Sequence, residues 1–151
     1  MPKIEKILFP VDFTTATDKI LPFVKDMVKA FNAKLYVLHV IRSPEEFAGF
    51  EMGPAWYASL EMDLMDGAEK SMKRLVADQF EDLGEVETHI AVGDIVDTII
   101  DYVSSNDIDM IIIGTHGRKG LEKVMFGSVA EGVIKDAPCP VLTINPYKIK
   151  K

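Results

Sequence analysis

Asp109-Met110-Ile111-Ile112-Ile113-Gly114-Thr115-His116-Gly117, then nine residues, then Gly127-Ser128, is the stretch on which the fold turns. Three isoleucines in a row after a methionine leave no polar face, as expected of a strand covered on both sides in a parallel sheet. Gly114 and Gly117, three apart, predict a loop that turns back with positive φ and brings bare N–H groups close to a ligand. Gly127-Ser128 then opens a helical pattern whose first N–H groups have no partner inside the helix and whose dipole end is positive. Strand, glycine loop and helix start together predict a phosphate cradle.

The same alternation runs through the rest of the chain. Apolar runs at Ile4 to Val11, Leu35 to Ile41, Val86 to Val92, Met110 to Ile113 and Val141 to Ile144 predict five strands, with four helical patterns between them. In the first helix Ile20, Val24, Met27, Val28 and Phe31 follow the 3.6 period, and Asn32 suits a left-handed stop. Pro22 is expected near its start, where a proline costs least. Leu60, Leu64, Ala68, Met72, Leu75, Val76 and Phe80 predict the second and longest helix, closed by Gly84. Asp94 is expected to cap the third, with Ile95, Val96, Ile99, Ile100 and Val103 on its apolar face. The fourth is expected from Ser128 to the neighbourhood of Ala137, ahead of Pro138.

This pattern predicts one doubly wound α/β domain over residues 1–151, a parallel sheet with helices on both faces joined by right-handed crossovers. Of the two common strand orders, 3-2-1-4-5 and 2-1-3-4-5, the first sets the ends of strands one and four side by side. It is favoured because it brings Pro10-Val11-Asp12 and the loop at Gly114 into one crevice.

With 151 residues, 48% hydrophobic and 27% charged, the chain can build one sizeable core. A formal charge of -7 argues against a duplex nucleic-acid partner, which requires a basic face, and Lys148, Lys150 and Lys151 do not reverse it. The single cysteine, Cys139, permits no internal disulfide and suits a reducing, cytoplasmic setting. Apolar runs fall well short of the roughly 20 residues that span a bilayer. No membrane partner is expected, and the charged start from Met1 to Lys6 reads as the entry to a strand, not a secretory signal.

Gly114-x-x-Gly117-x9-Gly127-Ser128 resembles the G-2x-G-9x-G-S/T pattern of the ATP-binding branch of the universal stress protein family. The resemblance extends over Ile7-Leu8-Phe9-Pro10-Val11-Asp12-Phe13, Leu35-Tyr36-Val37-Leu38-His39-Val40, Asp109 to Gly114, and Ala137-Pro138-Cys139-Pro140-Val141-Leu142. It implies ATP, accompanied by Mg2+, bound by Pro10, Asp12, Val40, Gly114, Thr115, Gly117, Arg118, Gly127, Ser128 and Val129. Asp12 and Val40 would handle the adenosine end. The glycine loop would hold the phosphates, with Arg118 or Lys119 supplying charge. The resemblance also implies a homodimer paired through strand five, and a nucleotide-responsive stress protein whose surface an unidentified protein partner recognises.

The runner-up is a slow ATPase or phosphotransfer enzyme using the same cradle. No Walker lysine motif, kinase catalytic set or evident general base supports it, so no catalytic residue is assigned and at most slow hydrolysis is expected. A phospho-acceptor receiver domain needs a further acidic pair that Pro10-Val11-Asp12 lacks. Several residues keep a second reading. Asp12 equally suits a cap on the turn into helix one, and Ser128-x-x-Glu131 is also a capping box. His116 either reaches a phosphate or lies exposed. His39 and His89 are expected to be structural, and the histidine spacing assigns no protein metal ligand. Phe47, Phe50, Met52, Trp56 and Tyr57, in and after the irregular segment from Ser43 to Pro54, form either a lid or partner surface, or a seal on the core.

Overall fold

Ile7, Leu8 and Phe9 expose no surface to solvent, because the strand that carries them is flanked on both edges and covered on both faces. The computed structural model describes residues 2–43, 53–116 and 127–149. In it β1 (Lys6–Pro10) pairs in parallel with β2 (Lys34–Ile41) on one side and β4 (Met110–Gly114) on the other. β3 (Val86–Val92) and β5 (Val141–Ile144) complete the sheet in the order β3-β2-β1-β4-β5, which is the order expected from the sequence.

Side chains alternate across this sheet. Ile7 and Phe9 meet α1 (Thr15–Phe31) and α2 (Pro54–Gln79) in a cluster with Val24, Val28, Met72 and Leu75. Leu8 faces the opposite way and joins Leu38, Ile99, Ile111 and Val133 beneath α3 (Ile95–Ser105) and α4 (Ser128–Asp136).

Helix ends follow local chemistry. Asn32 adopts the left-handed conformation, φ 51° and ψ 45°, and Ala33 N–H reaches back to Val28 O at 3.0 Å. The Asp94 carboxylate accepts Asp97 N–H at 3.0 Å, as a cap at that position should. The short 3-10 turn Glu81–Leu83 is pinned to α1 through Asp82, whose carboxyl the ammonium groups of Lys29 and Lys25 hold down at about 2.

Two expectations are corrected. α1 starts at Thr15, so Pro22 lies in its interior and not in its first turn. A proline there removes one helical hydrogen bond at a cost of ~3 kcal/mol, which burial of Ile20, Leu21, Val24 and Val28 on the same helix offsets. The second concerns the apolar face of the longest helix. α2 has 26 residues, ~39 Å at 1.5 Å each, whereas the eight residues of β2 span only ~26 Å. The helix therefore overhangs the sheet: Ala68, Met72 and Leu75 are buried, but Leu64 is 37% exposed and Met62 70%.

α3 and α4 approach closely at Gly132, where a Cβ would stand 2.8 Å from Val96 Cγ2. Val96 is β-branched and stiff, so it has little room to yield. Replacing Gly132 with alanine gains ~1 kcal/mol of helix propensity but incurs ~1–3 kcal/mol of overpacking. Urea denaturation of Gly132→Ala should therefore show a lower midpoint than the parent chain.

Candidate functional site

β1 leaves the sheet immediately after Val11, whose N–H donates to Leu38 O at 2.9 Å. That bond fixes the phase of β2: the peptide groups of Leu38 face β1, and by the period of two those of Val40 face the same way. β1 has turned off by then, so Val40 N–H and C=O look into the space beyond its end. The turn is held by side chains. His39 Nδ1 lies 2.7 Å from Val11 O, where it can only donate, and the His39 ring rests on Phe13 at 4.5 Å between centroids. Phe13 has φ 60°, a left-handed backbone that bulky residues adopt only when their surroundings compel it. Asp12 Oδ1 accepts Thr14 N–H at 3.0 Å, Thr14 Oγ1 at 2.7 Å and Thr17 Oγ1 at 3.0 Å. Among the described residues no donor reaches Asp12 Oδ2.

β4 ends beside this turn. Thr115 N–H continues the sheet to Ile144 O at 2.9 Å, and Thr115 O accepts Gly127 N–H at 2.7 Å. The chain thus departs at His116 and returns at Gly127 with the base of the excursion closed. Gly127 must be small, since a Cβ there would lie 3.1 Å from Thr115 O. From Gly127 the chain enters α4, whose first internal bond is Glu131 N–H to Gly127 O at 3.1 Å. The N–H groups of Ser128, Val129 and Ala130 therefore have no acceptor within the helix, and its positive dipole end adds to them. Val129 is half-buried against the Leu8 cluster and anchors the turn, while Ser128 is exposed. Thr115 Oγ1 and His116 Nδ1 are 2.6 Å apart, both residues are buried, and the His116 ring meets Tyr147 edge-on at 5.8 Å.

The crevice lies where the winding reverses, beyond the carboxyl ends of β1 and β4. The universal stress protein family matches residues 3–145. The chain belongs to that family. Universal stress protein MJ0531 of Methanocaldococcus jannaschii is 30% identical to it over 147 residues, 95% of this chain and 84% of the relative. The solved structure of MJ0577 shares its fold with a TM-score of 0.81 at 30% identity, covering 98% of each chain. A universal stress protein from Archaeoglobus fulgidus, solved in complex with dAMP, shares the fold with a TM-score of 0.65 at 24% identity, over 96% of this chain and 100% of its own.

Within this universal stress protein frame, Pro10, Asp12, Val40, Gly114, Thr115, Gly127, Ser128 and Val129 all lie at the carboxyl ends of the central strands or at the start of α4. Gly117, Arg118 and Lys119 fall outside the described residues, as do Phe47, Phe50 and Met52. Several local expectations change. Gly114 is the last residue of β4 and not a positive-φ turn residue. Its smallness answers Ile20 Cδ1, which a Cβ would approach to 3.3 Å. The capping box does not form: Gly127 is the cap, so Ser128 is already the first helical residue, one position too late to serve Glu131. His116 is buried, which removes the exposed reading. Trp56 and Tyr57 belong to the first turn of α2, and Tyr57 Oη is buried without a hydrogen-bond partner among the described residues.

Phe13, Thr14 and Thr17 were not singled out by sequence. The signal was present as Asp12-x-Thr14-x-x-Thr17, a spacing that lets one carboxylate fold the chain back on itself. No cluster of three or more metal-ligating side chains occurs among the described residues. At Cys139, burial and then the charge of Asp109 push the thiol up, leaving it a poor nucleophile.

Because three donors converge on Asp12 Oδ1, Asp12→Ala should destabilise the nucleotide-free protein by ~1–2 kcal/mol, the range for losing a cap and leaving its donors unmet. Chemical denaturation without added nucleotide measures this.

Proposed function

We propose that this chain is a cytoplasmic ATP-binding universal stress protein, a nucleotide-responsive dimer and not primarily a catalyst. The observation that carries the reading is the start of α4. Three N–H groups without helical acceptors follow Gly127, whose missing Cβ lets its backbone close on Thr115 O and sets the helix start against the end of β4. Triphosphate oxygens fit such donors, and Gly117 and Arg118, which lie outside the described residues, are proposed as further phosphate ligands. Mg2+ would arrive on the phosphates and keep water ligands.

The adenosine end fits the β1 side. Val40 offers one donor and one acceptor in a fixed plane, matching the edge of a base, and Pro10 borders the same opening. Asp12 Oδ2 is an acceptor for a ribose hydroxyl while Oδ1 stays committed to the turn. The carboxylate is thereby kept at the nucleoside end, away from phosphate charge. The Archaeoglobus fulgidus relative solved with dAMP holds a ligand of this class.

Titration calorimetry with ATP and Mg2+, against AMP as control, tests the reading. ATP should bind saturably and at least tenfold more tightly than AMP. Ser128→Ala should weaken ATP binding severalfold while leaving apo stability nearly unchanged, since Ser128 Oγ caps nothing in the described structure. Absence of ATP binding at millimolar concentration would refute the cradle.

The dimer would form through β5. This four-residue strand is half-buried throughout and ends the sheet, so among the described residues its outer peptide groups have no strand partner and suit a second copy. Light scattering at micromolar concentration should give twice the chain mass; a monomer would remove this part of the proposal.

A further inference from the structure

The opposite edge of the sheet carries a different opportunity. Among the described residues β3 pairs only with β2. Gly93 N–H donates to Ile41 O at 2.9 Å, and Ile41 is in register with Val92, which sets the phase of the strand. The peptide groups of Glu87, His89 and Ala91 turn toward β2, and those of Thr88, Ile90 and Val92 turn outward. Among the described residues these outward groups have no strand partner, and such an edge is a template for another strand.

A groove flanks β3 on each face of the sheet, and the two differ in chemistry. On the α3 side an opening of about 450 Å³ is lined by Glu87, His89, Asp101, Tyr102 and Ser105, among others, with no lysine or arginine among the described residues of its walls. The His89 and Tyr102 rings stack 5.7 Å apart at 23°, forming an aromatic wall. Glu87 does have a cation, Lys34 Nζ at 3.2 Å, but Lys34 also serves Glu85 at 3.4 Å, and Asp101 has no ion pair among the described residues. Burial, and then the charge of Glu87, raise the Tyr102 phenol above its usual range, consistent with a negative field in the groove. On the α2 side an opening of about 360 Å³ is lined by Met72, Val76, Ala77, Val86 and Ile90, with Glu69, Lys73 and Thr88 among them.

A strand laid along β3 would send alternate side chains into these two grooves. We propose that the β3 edge binds an extended segment of a partner protein, about six residues long, in which basic and aliphatic side chains alternate. The basic side chains lie over Glu87, Asp101 and the Tyr102 ring, where charge and cation–π attraction act together. The aliphatic ones meet Val76 and Ile90, and the backbone pairs with Thr88, Ile90 and Val92. A second copy of this chain is the wrong occupant, because its β3, with the sequence VETHIAV, carries Glu87 and no lysine or arginine to set against Glu87 and Asp101. The proposal is independent of the nucleotide site and of β5.

The test uses the full chain and a fluorescein-labelled octapeptide alternating lysine and valine, followed by anisotropy and by amide chemical shifts. The expected result is saturable binding that weakens with salt, with shifts centred on Thr88, Ile90 and Val92. Asp101→Lys, an exposed helix position, should weaken it at least tenfold. A peptide with glutamate for lysine, or one N-methylated along its pairing edge, should not bind. Lack of binding at millimolar peptide, an affinity within twofold in Asp101→Lys, or shifts centred elsewhere would each overturn the proposal.

Discussion

Enclosure of β1 is the constraint from which the rest of this structure follows. Its side chains fill both clusters, and its two edges are taken by β2 and β4. Its beginning is fastened as well: the Asp109 carboxylate accepts Glu5 N–H and Lys6 N–H, each at 2.9 Å, while Asp109 N–H returns a bond to Lys6 O. A strand held at its start, edges and faces has only one free choice, the direction in which it leaves. It leaves at Asp12, between the ends of two neighbouring strands, and that is why the crevice exists.

What lines the crevice is largely backbone. Val40 presents a peptide group that lost its neighbour when β1 turned away, and the start of α4 presents three more. The polar side chains nearby act chiefly as fasteners: His39 on Val11, Asp12 on Thr14 and Thr17, Thr115 beside His116. Among the described residues the donors that line the crevice belong to a strand end and a helix start, not to long side chains with rotamers to lose. The fastening also explains the strained backbone at Phe13, which is fixed by the His39 ring on one side and the Asp12 turn on the other.

Much of this was legible in the sequence, for identifiable reasons. Uninterrupted runs such as Met110 to Ile113 have no alternative to burial on both faces, and strand order followed from asking which topology gathers Asp12 and Gly114. Asn32 and Asp94 have strong local preferences that tertiary structure left undisturbed. The misreadings arose where two local signals competed. Pro22 suggested a helix start, but the Asp12 turn had already begun the helix at Thr15. Ser128 offered a capping box, but Gly127, drawn against Thr115 O, shifted the frame by one residue. The exposed alternative for His116 failed because the Tyr147 ring it packs against is thirty-one positions away in sequence, a separation no local pattern encodes. Leu64 kept the helical period while the sheet beneath it had run out.

The closed base at Thr115 and Gly127 has a consequence for how this architecture can diversify. Gly127 N–H bonds Thr115 O at 2.7 Å and Thr115 N–H bonds Ile144 O at 2.9 Å, so the start of α4 is tied to the sheet by backbone alone. Side chains on the exposed face of α4 carry none of that attachment, so they can change while the helix start keeps its place.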